Sequence, residues 1–351
     1  PPPPPVFLAM APTSKAMLCM LSVASAVALQ SIGNSQGTMA ASNSTPITGQ
    51  IEYRGVGMPV EFGEFGTVSV FDQTGHKVYE GSFDQQILPG GVGTQYFDNG
   101  KNQYSGFWKQ GRPHGLGTAF HPQTGCRAFW GEWRQGLPDG HGTQYLVNGR
   151  EAFKGEWRQG LRDGHGTQYL DNGRILYDGL WKQGRPHGHG TAFHTQTGSK
   201  AYEGEWGQGL PDGPGTQYLD NGRIQCDFYF KQGKPHGFGT GYDRVTGQKL
   251  YVGHFTYGLR DGRGTQHFDN GHIQYSGAWE QGKPHGFGTG YDRVTGQKVY
   301  VGHFTHGLQD GHGTQHFDNG QIKYRGAWKL GGQDGRGMQY RRDGRLDFSR
   351  G

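Results

Sequence analysis

The sequence predicts an all-β fold: an elongated single-sheet array of about twelve stacked β-hairpins behind a disordered or cleaved N-terminal segment. Three observations point there. A frame consisting of an aromatic, a Gly two residues on and a second aromatic two further recurs at intervals of 24 to 26 residues. Glycine supplies 67 of the 351 residues, well above the usual share of about 7%. The aromatics (18 Tyr, 20 Phe and 8 Trp) fall in register with that frame rather than at random. Such a period marks a repeat architecture in which each unit buries its apolar face only against its neighbours.

Composition narrows the choice further. Only 32% of the chain is hydrophobic, too little for a compact two-domain core of this length. Low hydrophobicity ordinarily suggests disorder, but rings placed in register supply a thin, stackable core. The net charge is +5, with residues 101–200 mildly basic at 13 cations against 7 anions. That imbalance suits an anionic partner and does not make a dedicated nucleic-acid binder. The cysteines, Cys19, Cys126 and Cys226, form no disulfide framework. In a stacked sheet Cys126 and Cys226 would stand roughly 40 Å apart at ~4.8 Å per strand, beyond one bond.

Residues 1–50 read as a leader and linker. Met10 is the expected translational start, Lys15 a positive n-region, and residues 16–29 an apolar run with small-residue cleavage sites at Ala24-Ser25-Ala26 and Ala26-Val27-Ala28. Residues 10–28 thus have the grammar of a secretory signal peptide, with an Ala/Ser-rich disordered leader as the alternative. The first reading implies a secreted or surface protein, the second a cytoplasmic, membrane-associated one. Gly33-Asn34-Ser35-Gln36-Gly37 spells a nucleophile elbow, but it lies in a polar linker without the strand and helix that such a motif needs. Asn43-Ser44-Thr45 is a glycosylation sequon that matters only in a secreted chain.

Residues 51–351 form the array, and residues 177–191 (YDGLWKQGRPHGHGT) show its frame in full. Further frames start at Tyr104, Phe129, Phe153, Tyr202, Cys226, Tyr251, Tyr275, Tyr300 and Tyr324, with degenerate copies at Tyr53 and Tyr79. Counting the leading aromatic as offset 0, offsets 0, 2 and 4 share one face of a strand. The Gly at offset 2 leaves a slot for a neighbouring ring. A Gly-rich turn such as Lys182-Gln183-Gly184 follows, where positive φ is needed. The second strand is expected to begin at Gly-x-Gly-Thr, and Asp171-Asn172-Gly173 and its copies close the hairpin. One class of repeat carries Arg/Lys-Pro-His-Gly, the other Leu-x-Asp-Gly, and the two alternate from Tyr177 onward. The ends are atypical: Gly57 replaces an aromatic, Glu64 a Gly, and Met338 the Thr. Within the array Phe228 sits where Gly should be, which predicts a bulge or a filled slot.

The frame resembles the membrane occupation and recognition nexus (MORN) repeat, over roughly residues 50–345. That resemblance implies stacked hairpins in one long antiparallel sheet. It also implies a non-enzymatic scaffold or binding protein that tethers to anionic membrane lipids or to a protein partner. The alternative it carries is a regulatory repeat module of a larger enzyme such as a phosphatidylinositol phosphate kinase. A homo-oligomer is compatible with it.

Two columns of side chains are candidates for chemistry. At offset 10, His114, Asp139, Asp163, His187, Asp212, His236, Asp261, His285 and Asp310 alternate. At ~10 Å between successive members they are too far apart to share a metal directly, so each is expected to bond the backbone of its own turn. At offsets 5 and 8 the candidate lipid- or partner-binding residues are Lys109, Arg112, Arg134, Arg158, Lys182, Arg185, Lys231 and Lys234. The bland reading of these is solvated cations along a sheet edge. No nucleophile–base pair or carboxylate dyad stands outside the repeat frame, and no catalytic residue, cofactor, metal or nucleic acid is expected.

Overall fold

The computed structural model describes residues 60–62, 67–72, 74–84 and 88–347. The leader, the Gly33 motif, the sequon and the Tyr53 frame with Gly57 and Glu64 lie outside the described residues. Within them the chain is all-β, with twenty-four strands and no helix. It forms two compact units. One holds the described residues up to Gly198 together with Trp206–Leu210, and the other holds Ser199–Glu205 and the described residues from Pro211 onward.

In the first unit, strands from Val60–Phe62 to Arg185–Phe193 pair antiparallel in sequence order, each with the next. In the second, strands from Leu210–Tyr218 to Gly332–Gln339 do the same. Short connections and antiparallel pairing follow from the turn residues, which return the chain within two to six residues.

The hairpin of Ile175–Lys182 and Arg185–Phe193 shows the local logic. Tyr177 pairs with Ala192, Gly179 with Gly190, Trp181 with Pro186 and Lys182 with Arg185, with a bulge between Gly179 and Trp181. The second strand therefore starts at Arg185, immediately after the turn, rather than at Gly188 as the sequence suggests. The bulge hides this start by interrupting the alternation. Only Gln183 and Gly184 lie in the turn, both with positive φ (49° and 79°), the two-residue type I′ geometry whose twist matches the flanking strands.

The Asn-Gly turns are of another kind. Gly173 has φ 84° but Asn172 stays at negative φ, and Leu170 N donates to Arg174 O at 2.8 Å. This is a longer turn closing on a left-handed Gly, consistent with the register shift between Gln168 and Tyr169.

Tyr177 and Trp181 are 0% and 3% exposed. The slot of the frame is filled by the hairpin's own ring rather than a neighbour's. A Cβ on Gly190 would lie 2.1 Å from Tyr177 Oη, and one on Gly179 would lie 2.4 Å from Gly190 Cα. Two glycines face each other so that the tyrosine can lie flat on the backbone, its Oη donating to Leu180 O at 3.0 Å. Trp181 is the link between repeats. It meets Tyr177 and Phe153 edge-on at 5.2 Å each, and Nε1 donates to Gly166 O at 2.9 Å. Edge-to-face geometry is the favoured arrangement of aromatic pairs.

At Cys226 the slot is filled, as one of the two sequence readings expects. Phe228 is 3% exposed, and its Cδ1 would be 1.9 Å from a Cβ on Gly239. The ring has moved from offset 0 to offset 2 and covers the same backbone. The face opposite the rings is less polar than the sequence suggests: Phe107, Trp130, Tyr229, Phe238 and Phe287 are all exposed there.

Candidate functional site

The tight turns of successive hairpins line one edge of each unit, which puts offsets 5 and 8 beside one another. Neighbouring turns are chained through their backbones. Gly184 N donates to Arg162 O at 2.9 Å, and Gly136 N donates to Pro113 O at the same distance. The offset-10 aspartates add a second link, to the next repeat rather than their own turn. Asp163 Oδ2 accepts from Gln183 N at 3.2 Å, and Asp139 Oδ2 from Gln159 N at 3.2 Å. The sequence expectation of a self-contained Asx turn is corrected here, because the turn N–H of the next hairpin lies one strand away and needs an acceptor. Two histidines of the same column contact rings instead: His236 lies 5.1 Å from Tyr257, and His285 lies 5.7 Å from His306. Among the described residues no group of three His, Cys, Asp or Glu side chains converges as a metal site.

The eight candidate cations divide into two kinds. Arg134 Nε lies 3.7 Å from Asp139 Oδ1, and Arg158 Nη1 lies 3.8 Å from Asp163 Oδ1. Both guanidiniums are thus partly neutralised by the aspartate that also holds the next turn. The other six stand as like-charged partners across a tight turn: Lys109 opposite Arg112, Lys182 opposite Arg185, and Lys231 opposite Lys234. Directly opposed like charges repel, and no carboxylate lies within ion-pair reach of these six among the described residues. All but the half-buried Arg112 are exposed. Lys109, Arg112, His114 and Arg134 come together around a shallow groove floored by Leu88, Gln110 and Gln135. Lys109, Arg112, Lys182 and Arg185 belong to the first unit, and Lys231 and Lys234 to the second.

The match to known proteins follows this architecture. The MORN-repeat family model fits nine segments: residues 104–120, 131–149, 153–173, 177–192, 202–222, 229–240, 251–273, 275–289 and 300–322. The chain belongs to the MORN-repeat family. It is a repeat scaffold and binding module built from those units. The frames at Tyr79 and Tyr324 lie outside the matched segments, yet both form the same ring-on-glycine hairpin, with a Cβ on Gly93 or Gly337 meeting the tyrosine hydroxyl. The match in the Cys226 frame begins only at residue 229, after the displaced ring. No curated protein matches the chain. A solved structure described as europium-containing methanol dehydrogenase is similar at 14% identity and a TM-score of 0.12. That likeness covers 75% of this chain and 61% of the other, and so loose a fit transfers nothing.

The sequence reading missed two arginines, Arg162 and Arg260, which replace the buried proline at offset 9. Their signal was available as the only cations at a position otherwise filled by Pro or Gln from Tyr104 onward.

Proposed function

We propose that this MORN-repeat protein is a non-catalytic tether whose turn edge binds anionic phospholipid headgroups. The observation that carries this reading is the pairing of unneutralised cations across the Lys-Gln-Gly-Arg/Lys turns. A phosphate seated between Lys109 and Arg112, or between Lys182 and Arg185, relieves their mutual repulsion and gains charge-assisted hydrogen bonds. The two pairs stand three repeats apart on one edge of the first unit, about 30 Å at ~4.8 Å per strand. A planar membrane could meet both. Each cation near an acidic bilayer contributes about 1 kcal/mol, so the two pairs together suffice for reversible attachment.

Sedimentation of the full chain with phosphatidylcholine vesicles, with and without phosphatidylserine, tests the proposal. The protein is expected to pellet with the acidic vesicles at low salt and to release as salt rises, because screening shortens the reach of exposed charges. Changing Lys109, Arg112, Lys182 and Arg185 to Glu together should abolish pelleting without altering the circular dichroism. Arg134→Glu with Arg158→Glu should have the smaller effect, since Asp139 and Asp163 already face those side chains. If acidic vesicles fail to retain the wild-type chain at low salt, the lipid reading falls and an acidic protein surface takes its place.

A further inference from the structure

Offset 9 lies on the ring face, opposite the second aromatic of its own hairpin. Pro113, Pro138, Pro186, Pro235 and Pro284 occupy this position in their hairpins. In two hairpins it is an arginine. The Arg162 guanidinium carbon lies 4.6 Å from the Phe153 ring centroid and 5.1 Å from that of Trp181. Arg162 Nη2 donates to Gln144 Oε1 at 3.0 Å. Arg260 repeats the arrangement in the second unit, 4.8 Å from Tyr251 and 5.0 Å from Trp279, with Nη1 donating to Gln266 Oε1 at 2.8 Å. Gln266 is itself held by its amide, which donates to Gln274 Oε1 at 2.8 Å.

These guanidiniums are fixed in orientation by two rings and a glutamine, yet among the described residues no carboxylate offsets either charge. Burial pushes the Arg162 pKa down to about 10 and lowers that of Arg260. A charge withdrawn from water without a counter-ion is unfavourable, and a proline fills the same position with no charge at all. Each guanidinium has five N–H donors and one side-chain acceptor in the structure. Both residues are half-buried rather than sealed, so the remaining donors are within reach of solvent.

We propose that Arg162 and Arg260 are two separate anion sockets on the ring face, each taking one carboxylate. The planar fork matches the two oxygens of a carboxylate. The carboxylate could belong to a free small acid or to a Glu or Asp side chain of a partner. This site is independent of the turn edge and lies on a different face of the sheet.

The test follows the arginine Nε–Hε signals and the Trp181 and Trp279 indole N–H signals of the ¹⁵N-labelled full chain by NMR, titrating with acetate and, separately, with a short Gly/Ser peptide holding a single Glu. The Arg162 and Arg260 signals are expected to shift and saturate with acetate but not with chloride at the same ionic strength. Arg162→Pro adopts the residue that the other hairpins use there. It should keep the fold, lose the acetate response of the Trp181 indole N–H and leave the Arg260 response intact. Should that variant not fold, Arg162→Lys keeps the charge but removes the fork, and acetate binding read at the Trp181 indole N–H should weaken about tenfold. Tighter binding of the peptide than of acetate assigns the socket to a partner side chain, and equal binding to a free acid. Equal shifts with acetate and chloride overturn the proposal, as does an unchanged acetate response in Arg162→Lys.

Discussion

At Cys226 a ring has moved two positions along its strand, and the hairpin has kept its packing. Phe228 covers Gly239 as Tyr177 covers Gly190, while the small Cys226, 1% exposed, takes the vacated position. The two substitutions make sense only together. Phe228→Gly alone should empty the slot and cost about 4 kcal/mol. Cys226→Tyr alone should force two rings into one slot and cost about 2 kcal/mol. The double variant restores the common frame and should come within ~1 kcal/mol of the parent, a strong coupling in a double-mutant cycle. Urea unfolding of the four proteins measures it, and additive losses would mean that the rings do not share a slot.

Each hairpin element is defined by two turns with different requirements. In the tight turn, Gln183 and its equivalents hold φ near 50°, a left-handed conformation that L-residues adopt at a cost of about 1 kcal/mol. Gln183→Asn should therefore stabilise the hairpin by about 0.5 kcal/mol, since Asn tolerates this region better. A fall in the urea midpoint would show that the glutamine side chain contributes something else. On the opposite edge, Asp243 accepts from Thr246 N, Thr246 Oγ1 and Val245 N, and Asp292 repeats the pattern. The threonine hydrogen bonds, led by the backbone N–H, hold both carboxyls below the ordinary 3.8. With the folded value depressed, the stabilisation is complete above the unfolded value of about 3.9 and disappears as pH falls through the lower folded value. The Thr246 amide shift should accordingly titrate below pH ~4 in the wild type, and Asp243→Asn should remove that step.

Among the described residues of the first unit, each hairpin is joined to its sequence neighbours by ring contacts, Trp Nε1 hydrogen bonds and turn-to-turn links. Stability in such an array is a sum of repeat and interface terms. Trp181→Ala removes contacts with both Tyr177 and Phe153 and should cost about 4 kcal/mol. Hydrogen exchange should then quicken most in Glu151–Arg158, Leu161–Tyr169 and the Trp181 hairpin itself, and least in Lys77–Phe83. Trp181→Phe should be milder, because Phe255 and Phe304 hold the same position and are 7% and 8% exposed. Uniform acceleration throughout the unit would contradict nearest-neighbour stacking.

The sequence by itself determined the all-β class, the repeat boundaries, the ring positions and the two turn sites of each hairpin. These depend on local rules: strand periodicity of two, and glycine where φ must be positive, are written within about ten residues of one another. The tertiary structure decided what depends on strands that sequence places further apart. Asp163 serves Gln183, twenty residues on, because antiparallel pairing brings the next turn alongside. That same aspartate partly neutralises Arg158, while Lys182 and Arg185 oppose one another, so eight similar cations are not equivalent. A bulge at Gly179–Trp181 shifts the register that simple alternation predicts and places Arg185 directly after the turn. The rings around Arg162 come from Phe153 and Trp181 on opposite sides of it in sequence. Only the pairing of three successive strands makes them one environment.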